Sequence, residues 1–124
     1  MKTVYTNETI PKESLDLLYR HLENDDLYHT TLDLYDRYDN HSEIFETGFI
    51  SMFYFPHLNY DILLSAAEND TFSKGIWRAI TTQIKKYNET KRTLVIPSIE
   101  GKDILVKHAA KYGGKYIQGD IWFN

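Results

Sequence analysis

Cysteine is absent from the 124-residue chain, which removes disulfide scaffolds, thiolate catalysis and cysteine-based zinc sites. Long apolar runs are absent too: the longest centres on Phe53–Phe55, far short of the ~20 residues that span a bilayer. The opening MKTVYTNETI lacks the apolar stretch of a secretory signal. No GxxxxGK[ST], GxGxxG or GxSxG occurs, which leaves out the Walker phosphate loop, the dinucleotide fingerprint and the hydrolase nucleophile elbow. Internal repeats, low-complexity tracts and linkers are missing as well. These absences predict one cytoplasmic domain over residues 1–124, with no membrane contact.

What remains is rich in aromatic side chains: ten Tyr, six Phe and two Trp in a chain that is 42% apolar. Disordered chains have few aromatics and a large net charge, so this one is expected to fold around a core. The net charge of −4 hides an asymmetry. Residues 1–62 hold twelve acids against Lys2, Lys12, Arg20 and Arg37, whereas residues 63–124 hold six acids against ten bases. Two solvated faces would explain this; so would an acidic half for a cationic partner and a basic half for an anion. The bases are too dispersed, and the total too negative, for general nucleic-acid binding.

Met1–Asn7 alternates as a strand does. Pro11–Asn24 reads as a helix, with Leu15, Leu18, Tyr19 and Leu22 on one face. In Tyr28–Asp36 the alternation of Tyr28, Thr30, Leu32 and Leu34 points to a strand; a turn at Asp39-Asn40 and a return strand at Ser42–Thr47 would make a hairpin. Phe49–His57 is nearly all apolar, a strand buried on both faces and ended by Pro56. Asp61–Glu68 reads as short helix or irregular chain. Phe72–Tyr87 is an amphipathic helix striped by Ile76, Ile80, Ile84 and Tyr87, with Asn69, Asp70, Thr71 and Ser73 as cap candidates. Thr93–Pro97 is a short buried strand, Gly101–Tyr112 a helix stopped by Gly113-Gly114, and Lys115–Phe123 a last strand. Strands alternating with helices imply a parallel or mixed sheet, with Phe49–Phe55 expected beside Thr93–Ile96.

Where a strand runs into a helix, free N–H groups and the helix dipole favour an anion. That junction is Glu68–Arg78, ENDTFSKGIWR, with Gly75 between Lys74 and Arg78. A single glycine there can equally serve packing.

The segment Lys74-Gly75-Ile76-Trp77-Arg78-Ala79-Ile80, followed by the TLVIP strand, a helix and a glycine before the last strand, resembles the GNAT (GCN5-related N-acetyltransferase) family over roughly residues 49–124. In short chains of this kind the likeness extends to phage-encoded members. The resemblance implies an α/β fold, a GNAT-like mixed sheet with helices on both faces, and transfer of an acyl group from acetyl-CoA to an amine. It further implies that backbone amides of Ser73, Lys74, Gly75, Ile76 and Trp77 hold the pyrophosphate, with charge from Lys74 and Arg78. Main-chain groups of Phe53, Tyr54 and Phe55 would align the pantetheine arm. His57, placed where the cleft opens, or water would take the amine proton. The chain departs from the family pattern at three positions: Phe72 stands for Gln/Arg, Trp77 for Gly/Ala, and Ala109 for the tyrosine that protonates the leaving thiolate.

These departures support an alternative: the same fold without its chemistry, acting as a protein-binding module or inhibitor through the acidic, Tyr-rich first half. Tyr28–Tyr38, interleaved with Asp, would be the contact surface. His21, His29, His41, His57 and His108 show no metal-ligand spacing, so no metal is expected.

Overall fold

The computed structural model describes residues 2–22, 25–68, 72–97, 103–117 and 120–123, with side chains described except at 18–28, 103–104 and 116. The element order is β1 (Thr3–Thr6), α1 (Lys12–Leu22), α2 (Asp25–Arg37), β2 (Asn40–Phe45), β3 (Gly48–Phe53), β4 (Tyr60–Ala67), α3 (Lys74–Asn88), β5 (Thr93–Pro97), α4 (Asp103–Ala110), β6 (Lys115–Ile117) and β7 (Asp120–Phe123). The strands form one seven-stranded mixed sheet in the order β1-β2-β3-β4-β5-β7-β6, with β4 and β5 its parallel pair. Alternate side chains divide between two cores. Ile50, Met52, Leu63, Leu94 and Ile96 meet α3 and α4, while Phe49, Phe53, Phe55 and Ala66 meet α1 and α2. Helices therefore cover both faces, as expected.

Several elements follow local chemistry. In α3 the stripe Ile76, Ile80, Ile84 and Tyr87 is buried as its spacing requires. Every residue of β3 is buried, because it lies between two strands and under helices on both faces. Helix α4 ends in a Schellman motif, with Gly114 N–H bonded to Ala109 O (3.0 Å) and Gly113 N–H to Ala110 O (3.2 Å). Gly113 adopts φ 89°, which a side chain would strain. Asn24, Asn69, Asp70, Thr71 and Gly101, expected at helix ends, lie outside the described residues.

Four expectations are corrected. Tyr28–Asp36 is not a strand but part of α2. The apolar alternation there coexists with a three-to-four-residue period, in which Thr31 and Tyr35 are buried while Asp33 and Asp36 face water. Asn40 closes that helix by donating its amide to Tyr35 O (3.2 Å) and Tyr38 O (3.1 Å). The expected return strand exists as β2, yet its partners are β1 and β3. Asp61–Glu68 is not helical or irregular; it falls largely in β4, inserted between β3 and β5, so Phe49–Phe55 does not lie beside Thr93–Ile96. Its Leu and Ala residues have no strand preference of their own, and pairing on both sides decides their state. Finally, Lys115–Phe123 folds as the antiparallel pair β6–β7 rather than as one strand.

Candidate active site

Strand β4 leads into α3, and the site is built at that junction. The β4–β5 ladder runs from Tyr60–Thr93 through Asp61–Leu94 to Ile62–Val95 and goes no further among the described residues. Both strands continue, β4 through Leu63–Ala67 and β5 through Ile96–Pro97, each still paired on its outer side. The two strands part at their C-terminal ends. Main-chain groups of β4 on that inner edge are left for something other than β5, since buried N–H and C=O groups need partners.

The closed end of this V is clamped. Asp61, only 3% exposed, accepts from Arg92 Nη2 (2.6 Å), Arg92 Nε (3.1 Å), the Tyr87 hydroxyl (2.5 Å) and Phe55 N–H (2.9 Å). Arg92 also donates to the carbonyls of Leu58, Phe55 and Tyr60, tying the β3–β4 turn to the start of β5. Burial alone would raise the Asp61 carboxyl; the bonds from Arg92, Tyr87 and Phe55 outweigh it and hold the group below its usual range. Burial, reinforced by the bond to Asp61, pushes the Tyr87 hydroxyl well up.

At the open end, the first turn of α3 presents its N–H groups. Ser73 is the N-cap: its hydroxyl accepts from Ile76 N–H (3.3 Å), and its carbonyl accepts from Trp77 N–H (3.0 Å). The amides of Lys74 and Gly75 complete the turn, with the Lys74 side chain exposed. Gly75 lies against the Phe45 ring, and a Cβ there would sit 3.1 Å from it. That close approach is the packing role a lone glycine can have. Ile76 is a core side chain. Trp77 packs edge-on against Phe72 (5.0 Å between centroids) and against His108 of α4 (4.4 Å). Arg78 lies on the opposite flank of α3, facing the β1–β2 ribbon with Lys2 and Thr82.

Ser73, Lys74, Gly75, Ile76 and Trp77 are thus together at the opening; the other expected site residues are not. Phe53 pairs with Asn40 on one side and Ile62 on the other, which leaves no main-chain edge for a ligand strand. Tyr54 N–H is bonded to Asp39 O, Phe55 N–H to Asp61, and Phe55 O to Leu58 and Arg92. His57 is exposed in the β3–β4 turn, at the end of the sheet away from the α3 N-terminus. Four of these five, all but Arg78, are displaced for one reason. The strand entering α3 is β4, which runs antiparallel to β3, so the end of β3 lies at the clamped end of the V. At the open end it is the inner edge of Leu63–Ala67 that lies unpaired with β5 among the described residues; its signal in the sequence is its position before the capped helix.

Among its described side chains, helix α4 offers no acid to the opening. Ala109 is fully buried, and His108 turns to α3, where Nε2 lies 2.9 Å from Thr81 Oγ1. Burial, helped by Lys111, lowers the His108 pKa and favours neutral imidazole. On the other side of β4's end, a cavity of about 290 Å³ is lined by Glu13, Asp16, Glu46 and Glu68. Among the described residues no group of side chains is placed to hold a metal ion, and no helix is long and apolar enough to cross a membrane.

No family model matches the sequence, and no curated protein is similar to it. The fold has close counterparts among solved structures. An acetyltransferase of Bacillus subtilis, solved in complex with CoA, superposes with a TM-score of 0.63 at 13% identity, over 98% of this chain and 96% of that one. Tetrahymena GCN5 superposes at 0.61 and 10% identity, over 98% and 93%. An acyl-CoA N-acyltransferase of Pseudomonas aeruginosa superposes at 0.62 and 10% identity, over 98% and 94%. The parted parallel strands and the capped helix beyond them are therefore parts of a GNAT acetyltransferase fold, and that is the fold of this chain.

Proposed function

We propose that the protein is an acyl-CoA-dependent N-acyltransferase acting on an amine. The observation that carries this reading is the parting of β4 from β5 beyond Ile62–Val95, directly beneath the Ser73-capped start of α3. A chain bearing amides can lie along the inner edge of Leu63–Ala67 as a substitute strand. An anion at its far end meets the amides of Lys74 and Gly75, the positive end of the α3 dipole and the Lys74 ammonium. This fits coenzyme A, which joins an amide-bearing arm to a pyrophosphate; when bound, its thioester supplies the activated acyl group. The carboxylates around Glu13, Asp16, Glu46 and Glu68, at the same end of the sheet, favour a cationic acceptor. With Ala109 in α4 and His108 turned away, the described residues supply positioning rather than proton transfer, and positioning is the larger part of such a reaction.

The test is a thermal melt with acetyl-CoA, since a ligand that binds only the folded state must raise the melting temperature. A concentration-dependent rise in wild type, reduced by Lys74→Glu, is expected; an unchanged melting curve rejects the reading.

The second reading, a protein-binding module, is favoured by the absence of a proton donor at the opening among the described side chains of α4, and by the acidic surface at the end of α2 and just beyond it, where Asp33, Asp36, Tyr38 and Asp39 are exposed. Tyr35 does not belong to that surface, because it is a core residue.

A further inference from the structure

Under the acyltransferase reading, on which this inference rests, the sulfur that leaves the acyl carbon takes up negative charge. The α4 side chains packed in the core beside the sheet, Leu105 and Ala109, are apolar, and His108 is turned to Thr81. A donor for that sulfur has to come from elsewhere.

Strand β4 faces the same layer. Its side chains alternate, so Leu63, Ser65 and Ala67 lie on the side of α3 and α4, while Ile62, Leu64 and Ala66 face α1 and α2. Ser65 pairs with Ile50 of β3, which belongs to the α3–α4 core. Ser65 is 8% exposed, and its hydroxyl makes no hydrogen bond with a described residue. Sealing an unpartnered hydroxyl in a core costs free energy. Among the described residues the side-chain atom sealed in that way is Asn40 Oδ1, so the Ser65 hydroxyl meets open space. Ile50 and Leu63 (both 0% exposed) and Ala67 (2%) close it toward β3 and along β4. The side left open among the described residues is the one from which β5 has parted. Ser65 stands three residues beyond the last β4–β5 pair, Ile62–Val95, about 10 Å along the strand. On the α3–α4 side it is the first polar side chain past that vertex.

We propose that the Ser65 hydroxyl donates a hydrogen bond to the sulfur of a coenzyme lying along the inner edge of Leu63–Ala67. A β4 side chain then does for the leaving group what α4 does not. An arm anchored by its pyrophosphate at the start of α3 enters past Ala67 and turns its acyl end toward the closed end of the V, where Ser65 stands. In the transfer the amine nitrogen bonds the acyl carbon, the carbon–sulfur bond breaks with its electron pair on sulfur, and the amine proton passes to water. The hydroxyl keeps its own proton. Its bond to the developing thiolate is charge-assisted, roughly twice as strong as a neutral one.

Calorimetric titrations of wild type and Ser65→Ala with CoA, desulfo-CoA and ADP test this between about pH 7 and 9.5, across the range in which a free thiol ionises. Wild type should bind CoA increasingly better than desulfo-CoA as pH rises, because the donor favours the thiolate. Ser65→Ala should lose that gain, with about tenfold weaker CoA binding at the alkaline end. Desulfo-CoA and ADP, which lack the sulfur, should bind both proteins alike. The melting temperature without ligand should not fall, since the hydroxyl has no partner among the described residues. A wild-type profile without the gain, the same profile in both proteins, an equal loss with desulfo-CoA, or a lowered melting temperature in Ser65→Ala overturns the proposal and leaves the coenzyme reading in place. Wild type that binds none of the three ligands rejects the coenzyme reading and this proposal with it.

Discussion

Tyr35 shows how one side chain can change meaning between the sequence and the fold. Among acidic neighbours it reads as a surface anchor. In the structure it is 4% exposed, edge-on to Phe53 (4.8 Å), and its hydroxyl shares a hydrogen bond with Ser51 (2.8 Å), which in turn meets Ser42 (2.7 Å). Burial pushes the hydroxyl's pKa up despite these bonds. Tyr35→Ala should therefore cost about 3–5 kcal/mol in urea unfolding. Tyr35→Phe should cost only about 1 kcal/mol, because Ser51 keeps Ser42 as a partner. The Asp61–Arg92 clamp gives a second prediction at this scale. Arg92→Met leaves a buried carboxylate short of its main partner and should cost about 3 kcal/mol at neutral pH. Because Asp61 titrates lower folded than unfolded, its contribution is present above the unfolded pKa and is lost as pH falls through the folded one. The gap between wild type and Arg92→Met should therefore narrow in acid, and a gap independent of pH would contradict the assignment.

At the scale of elements, ends matter more than middles. The Ser73 cap positions the first turn of α3 at the opening, and Ser73→Ala should cost about 1 kcal/mol of stability. Gly113 closes α4 with φ 89°, and nothing crowds its α-carbon. Gly113→Ala should then cost about 1 kcal/mol through backbone strain alone. Gly48 differs: a Cβ would lie 2.3 Å from Ala66 O and 2.9 Å from Ile76 Cδ1, where α3 packs on the sheet. Gly48→Ala should be the most destabilising of the three in urea titrations, since backbone must move. The order Gly48 above Gly113 is the testable content.

For the whole molecule, the charge division sets what can approach. Asp33, Asp36 and Asp39 are exposed and make no fold contact that their charge is needed for, so Asp33→Asn, Asp36→Asn and Asp39→Asn combined should change stability by about 0.5 kcal/mol or less. Under the acyltransferase reading, coenzyme affinity persists in that variant and acceptor preference shifts modestly. Under the binding-module reading, a partner captured by wild type is released in a pull-down. Retention of every captured partner would leave the α2 surface without a role in binding.

Local chemistry was sufficient for α3, β3, β5 and the stop after α4. The Ile76–Ile80–Ile84 stripe, the nearly all-apolar run at Phe49–Phe53 and the Gly113-Gly114 pair each admit one state, because their pattern already specifies which groups must leave water. The same residues carried the family resemblance, and with it the helix start at Ser73–Trp77. The identities of α2 and β4 could not be read that way. Leu32 and Leu34 fit two periods at once, and the tract Ile62–Ala67 has no preference that outweighs its neighbours. Only the insertion of β4 between β3 and β5 settles it, through hydrogen bonds to residues distant in the chain. That one insertion decides which residues stand at the open end of the sheet, beside the start of α3. It sends His57 and Tyr54 to the clamped end and places the inner edge of Leu63–Ala67 at the opening, because strand order is decided by non-local pairing that no single segment encodes.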